Sequence, residues 1–359
     1  MKIKHFIFYI ITSFIIFILI EVLSYFIMKL DVYKQDFYLV RDFTERVNDE
    51  RYVSLKKNFS TKKKEFYQKE DWPIITSSLG TRISKEEIGS TKFLDETYLK
   101  VLFIGDSVPF GWGVKVESSI PYIFGKMNPN FVSINGAIPS YSLSQAVSRF
   151  IYEFKKIKNI KYVYLQVYDP AAQYGNLGEK WKEEDNWTNS KLAIPRNSFY
   201  FKFLNFKIPI YGNLNFLTII KKIIINKFQF DNYFYLPTKE SDIKFINHIN
   251  KQLEKLLHNV NSIGAKLIIA PVTLPENKKA FDESYYTDSI NYKYHLRAIK
   301  IFNMQIHQFI NENDVIYIDT ISILNSSKNS GENFIDSCCH LSAKGATKVS
   351  HNLSLLTKN

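Results

Sequence analysis

The chain of 359 residues carries 47 Lys and Arg against 35 Asp and Glu, a formal charge of +12, and is 45% hydrophobic and 16% aromatic. That length suits one large domain or two small ones, and that apolar content supplies a sizeable core, which excludes a disordered chain. The basic residues are scattered and no nucleic-acid motif is present, so the charge is read as solubilising lysine rather than as a polyanion-binding surface.

The first 30 residues form a segment of their own. A short basic start, MKIKH, precedes the apolar runs FIFYIITSFIIFILI (6–20) and VLSYFIM (22–28), interrupted only by Glu21. As a helix, His5 to Met28 would reach about 36 Å, enough for a bilayer core of about 30 Å. The run exceeds a signal-peptide core and shows no small-residue cleavage site. It is therefore expected to be an uncleaved signal-anchor, a single-pass transmembrane helix. Lys2 and Lys4 then put the N-terminus in the cytoplasm and the rest of the chain outside. Residues 31–95 are polar, charged and aromatic without strong periodicity, and are expected to be a juxtamembrane stalk and domain edge.

From residue 96 to 359 the pattern becomes α/β. VLFIG (101–105), FVSIN (131–135) and YVYLQVY (162–168) are continuous apolar runs of the kind buried in parallel sheets. Between the last two, Leu143, Ala146, Val147, Phe150, Ile151 and Phe154 recur at helical spacing, and Ser142 with Gln145 makes a capping box. A second helix ends at Gly264 before AKLIIAPV, a third covers 295–310 before VIYID (315–319), and LSAKGATKVSHNLSLL (341–356) closes the chain as a helix. Alternating strands and helices imply a parallel sheet covered on both faces. The alternation breaks at 171–240, an aromatic and basic insertion that either packs on the domain, roofs a site or lies against a membrane surface. Only two cysteines occur, the adjacent Cys338 and Cys339, so there is no disulfide framework, and ligands at zinc spacing are missing.

In such a sheet function gathers at the C-terminal ends of strands. Asp106–Ser107, the NGAIPSYS segment (135–142), Tyr168–Asp169 and Pro271–Thr273 lie there. A serine nucleophile needs a base, and the base an orienting acid. Of seven histidines, His340 is set apart. It lies in a loop, after Asp336, just before a helix. Asp106 is expected to cap a turn, and Asp319 to be structural.

At these residues the chain resembles the GDSL/SGNH hydrolase family, particularly its membrane-anchored bacterial members, over roughly 76–170 and 262–356. VLFIGDSVPFGWGV is similar to the family's first block, with Ser107 at the nucleophile position. VSINGAIPSYSLSQ is similar to the second block and DSCCHLSAKGATKVS to the last, while SLGTR (78–82) looks like a segment that often precedes the first. The resemblance implies a flavodoxin-like three-layer α/β/α sandwich and ester or acyl-transfer chemistry without a metal or cofactor. Three positions depart from the family pattern. Ser140 replaces the second-block glycine. Gln166-Val167-Tyr168-Asp169 replaces Gly-x-Asn-Asp, removing the asparagine donor of the oxyanion hole. The acid three residues before His340 is Ser337, with Asp336 one further back.

The resemblance thus implies a serine-dependent acyl ester hydrolase, an esterase or deacetylase, acting on an acylated carbohydrate or lipid of the envelope. Ser107 attacks, His340 relays its proton, and Asp336 or a backbone carbonyl orients the imidazole. The amides of Ser107 and Ser140 hold the oxyanion, supplemented by Tyr168 or Gln166. The alternatives are an O-acyltransferase using the same serine and histidine, or a non-catalytic binding module that kept the fold.

Overall fold

A computed structural model of the chain describes residues 3–28, 43–47, 49–51, 53–63, 72–139, 141–167, 239–275, 289–326, 329–336 and 339–358. The insertion expected at 171–240 lies outside the described residues except for its last two.

Helix α1 (Ile3–Met28) has 26 residues, of which only Lys4, His5 and Glu21 are acidic or basic. Phe8, Phe14 and Leu23 on it are more than half exposed. Its described side chains are continuous only from Ile11 to Leu23, and among the described residues no helix is long and apolar enough to cross a membrane.

Strands β1 (Thr44–Arg46) and β2 (Val53–Leu55) form a small antiparallel ribbon. Three short strands follow, β3 (Ser60–Lys63), β4 (Trp72–Thr76) and β5 (Arg82–Ile83). Next come β6 (Leu99–Gly105), α2 (Ser107–Phe110), α3 (Ile120–Met127), β7 (Phe131–Asn135) and α4 (Leu143–Arg149), which a π-helical turn, Phe150–Phe154, prolongs. The remaining elements are β8 (Ile160–Gln166), α5 (Lys239–Asn261), β9 (Lys266–Ile269), α6 (Ser289–Glu312), β10 (Ile316–Tyr317), α7 (Thr320–Asn325) and α8 (Ala343–Leu356).

The main sheet has eight strands in the order β10-β9-β8-β6-β7-β5-β4-β3. Its first five are parallel, in the doubly wound order 2-1-3-4-5 of flavodoxin-like sheets. The expected all-parallel sheet is thus corrected to a mixed one. Strands β3, β4 and β5 add antiparallel to the β7 edge, joined by connections too short for parallel crossovers. The described part of 31–95, where a stalk and domain edge are expected, supplies all five of the first strands.

Val101, Leu102, Phe103 and Ile104 are fully buried, because both faces of β6 are covered. Phe103 meets Phe124 of α3 at 5.7 Å, while Leu102 and Phe154 converge on Gly136 from the other face. Helices α3, α7 and α8 pack with one another, as do α4, α5 and α6, giving an α/β/α arrangement. Adjacent strands β7 and β8 flank β6 on opposite sides. The chain reverses its direction of winding there, and this leaves a crevice at the C-terminal end of β6.

Candidate active site

The first functional turn grows from that crevice. Gly105 ends β6 with φ +136°, and a Cβ there would lie 1.7 Å from the Gln166 carbonyl oxygen, so only glycine lets the two strand ends approach. Asp106 follows as the N-cap of α2, its carboxylate accepting from the Val108 amide at 3.1 Å. It caps a turn, as expected. Ser107 is the first residue of α2, so its own N–H has no intrahelical acceptor. The turn ends at Gly111, with φ +79°, and the Trp112 amide returns to the Ser107 carbonyl at 2.9 Å.

The second half comes from the C-terminal loop. Phe334 and Leu341 form an isolated antiparallel bridge, and the Ile335 amide donates to the His340 carbonyl at 2.9 Å. Ser342 then caps α8, which rests on α3 through Ser350 Oγ to the Ile120 carbonyl at 3.0 Å. The loop between these fixed ends folds Asp336 and His340 onto each other. His340 Nδ1 is hydrogen-bonded to Asp336 Oδ2, and His340 Nε2 lies 2.9 Å from Ser107 Oγ. Asp336 Oδ1 accepts from the amides of Cys339 and His340 at 3.0 and 3.1 Å. Of the two orienting groups left open by sequence, the structure therefore selects the Asp336 carboxylate.

Both side chains are 14% exposed. Burial pushes the Asp336 carboxyl up, but the facing His340, its hydrogen bond and the two amides outweigh it and hold the group below its ordinary 3.8. A carboxylate on Nδ1 fixes the tautomer whose Nε2 accepts a proton. The serine hydroxyl is placed to give one.

Gln166, one of the two supplementary oxyanion donors expected, is buried at the end of β8. Its Oε1 accepts from the Tyr164 hydroxyl at 2.9 Å, since residues two apart share a strand face. It lines a cavity of about 10 Å³ with Val108, Thr273, Leu324, Cys339 and Leu341. That places Gln166 beside Cys339 and Leu341, which flank His340. Of the other expected donors, Ser107 is the first residue of α2. Ser140 and Tyr168 lie outside the described residues, as do Asp169, Ser337 and Cys338.

Two contributors went unassigned in the sequence. Arg82, from SLGTR, is fully buried and donates to the carbonyls of Phe110, Gly111 and Val114 at 2.8, 2.5 and 2.8 Å. It also lies over the Trp72 and Phe110 rings, 5.4 and 4.8 Å from their centroids. Burial pushes its guanidinium down to about 9, with Glu117 acting in the opposite sense, so it is charged at neutral pH. Arg82 thereby ties down the loop that follows Ser107. That loop carries Trp112, whose ring centroid is 6.4 Å from that of His340, with Trp72 and Phe43 packed behind it at 5.0 and 6.4 Å. Backbone acceptors leave no mark in a sequence, so only the repeated glycines around Trp112 hinted at this packing.

No family model matches the chain, and no curated protein matches it in sequence. Solved structures do. A member of the lipolytic protein G-D-S-L family from Veillonella parvula is 11% identical with a TM-score of 0.42, covering 73% of this chain and 99% of its own. A lipase/acylhydrolase from Enterococcus faecalis is 11% identical with a TM-score of 0.39, covering 72% and 95%. A carbohydrate acetylesterase from Sinorhizobium meliloti is 10% identical with a TM-score of 0.43, covering 72% and 98%. Likenesses this distant carry no argument about chemistry, which stands on the geometry of the site.

Proposed function

We propose that the chain is a serine-dependent acyl ester hydrolase. The observation that carries this is the Asp336–His340–Ser107 relay, with Nε2 at 2.9 Å from the serine oxygen. Ser107 Oγ attacks the acyl carbonyl while His340 Nε2 takes its proton. The resulting oxyanion is held by the Ser107 amide and, in this proposal, by the amide of Ser140. Collapse expels the alcohol, protonated by His340, and leaves an acyl-serine. Water, deprotonated by His340, then releases the acid and regenerates Ser107. Three side chains from two distant segments, each oriented by the next, favour catalysis over a binding module that merely kept the fold.

The proposal extends to place. Helix α1 would span about 39 Å and has no Asp, Glu, Lys or Arg between Lys4 and Glu21. Lys2 and Lys4 favour a cytoplasmic N-terminus, which leaves the site outside, facing an acylated carbohydrate or lipid of the envelope. Pelleting of the full chain with membranes in alkaline carbonate tests the anchor, and release into the supernatant would refute it.

A fluorophosphonate probe tests the chemistry. The full chain should be labelled and should hydrolyse short acyl esters, and Ser107→Ala should do neither. A folded wild-type protein that resists labelling and leaves such esters intact would refute the reading. An acyl group delivered to an added sugar alcohol, rather than to water, would identify the transferase instead.

A further inference from the structure

We infer that a cleft on the far side of the Ser107 loop binds the acetamido group of an N-acetylated amino sugar. The cleft, about 470 Å³, lies between α3, the outer edge of β7 and the segment 81–98. That volume is in the usual range for ligand sites. Neither Ser107 nor His340 lines it.

The cleft exists because β5 leaves the sheet early. Arg82 pairs with Asn135, so Ser84 would face Ser133 across the ladder. Instead the Ser84 amide donates to the Glu87 carboxylate at 2.8 Å, and the Ser84 carbonyl accepts from the Glu87 amide at 3.2 Å, turning the chain away. On β7, the Gly136 amide bonds to the Phe103 carbonyl, so alternate residues Ile134 and Val132 also face β6. The N–H and C=O of Ser133 therefore point into the cleft. Beside them Ser84 Oγ, 1% exposed, has no hydrogen-bond partner. Gly125 of α3 keeps the space open, since a Cβ there would come within 3.1 Å of the Ser133 Cβ.

The length of this open edge selects the ligand. On one side of Ser133 the Asn135 backbone pairs with Arg82, and on the other the Phe131 amide is taken by the Asn128 carbonyl at 2.9 Å. Between these points the Ser133 N–H and C=O remain together. They match a single secondary amide, whereas an added β-strand needs a longer row. Around that point Tyr122 and Phe131 give aromatic surface for a pyranose face, and Glu86, Glu87 and Ser90 give acceptors for hydroxyls. An acetamido group on a sugar ring uses all three features.

The test is binding of N,N′-diacetylchitobiose to the full chain carrying Ser107→Ala, read by calorimetry, with cellobiose as the control that lacks only the acetamido groups. The acetylated disaccharide should bind about tenfold more tightly, the equivalent of the amide hydrogen bonds. Gly125→Ala and Tyr122→Ala, each checked for native circular dichroism, should weaken it by a similar factor. Ester hydrolysis by the same two variants in the Ser107 background should be unchanged. Equal affinity for cellobiose, no binding at all, or binding untouched by both cleft variants would overturn the inference. Tighter binding of N-acetylalanine methylamide would assign the edge to peptides and overturn it too. Because binding is read without Ser107, this outcome is independent of the ester-hydrolase reading.

Discussion

Replacing Asp336 by asparagine separates orientation from packing. The carboxylate now serves three donors: His340 Nδ1 through one oxygen, and the Cys339 and His340 amides, at 3.0 and 3.1 Å, through the other. In Asp336→Asn the carboxamide oxygen can still accept from both amides, so the loop should keep its shape. The amide nitrogen, however, faces Nδ1 and donates to it. Nδ1 then becomes an acceptor, the ring proton moves to Nε2, and Nε2 can no longer accept from Ser107 Oγ at 2.9 Å. The loss of a competent base tautomer costs about 10³–10⁴ in kcat, or about 4–5.5 kcal/mol of barrier. The assay is hydrolysis of a short nitrophenyl ester by the full chain, with Ser107→Ala as the floor and circular dichroism as the check on fold. KM should stay close to wild type, since nothing in the change touches where substrate binds. A folded Asp336→Asn enzyme within about tenfold of wild type would refute this assignment of the acid.

Other perturbations report on the scaffold. Gly105→Ala places a methyl 1.7 Å from the Gln166 carbonyl at a φ of +136°, so β6 and β8 must separate; soluble, cooperatively melting protein would contradict that geometry. Arg82→Met removes the guanidinium donor from the Phe110, Gly111 and Val114 carbonyls; Phe110 keeps Asn135 Nδ2 at 3.2 Å and Gly111 keeps the Val114 amide at 3.4 Å, so the loss should cost about 1–3 kcal/mol. A denaturant midpoint equal to wild type would show that those bonds contribute nothing net. Asp336 also links stability to pH. Its folded pKa lies below the ordinary 3.8, so its contribution is complete above 3.8 and is lost as pH falls through the lower folded value. The melting-temperature advantage of wild type over Asp336→Asn should therefore narrow in that acid range, and an advantage that grows there would reverse the sign of the coupling.

The parts that could be read in the sequence are those whose signals are local. FVSIN coincides with β7, Ser142 and Gln145 cap α4 as expected, and Gly264 lies just beyond α5 with φ +70°. Strands β3 to β5 escaped because two to five residues are too few to establish a period of two. They are held by tertiary partners, above all Arg82, whose acceptors are backbone carbonyls. A lone arginine in a basic chain reads as surface, yet this one is buried. Gln166 shows the same limit. Alternation puts it on the face of Tyr164, but only the packed helices reveal that this face lies under the His340 loop.

The position of the β1–β2 ribbon changes how the N-terminal third of the chain is understood. Phe43 stacks on Phe110 at 5.9 Å and backs Trp112, which in turn faces His340. A few residues on, the Val53 carbonyl accepts from the Tyr141 hydroxyl, and the Arg51 carbonyl from Gln145 Nε2 at 2.8 Å. Arg51 also pairs with Glu153, which Arg149 holds at 2.9 Å. The ribbon thus grips two separate loops, the one after Ser107 and the one that leads into α4. The first of these loops follows Ser107, and the second includes Ser140, whose amide is proposed to hold the oxyanion. The described residues of the segment expected as a stalk and domain edge therefore pack against the loop that follows Ser107 and the start of α4.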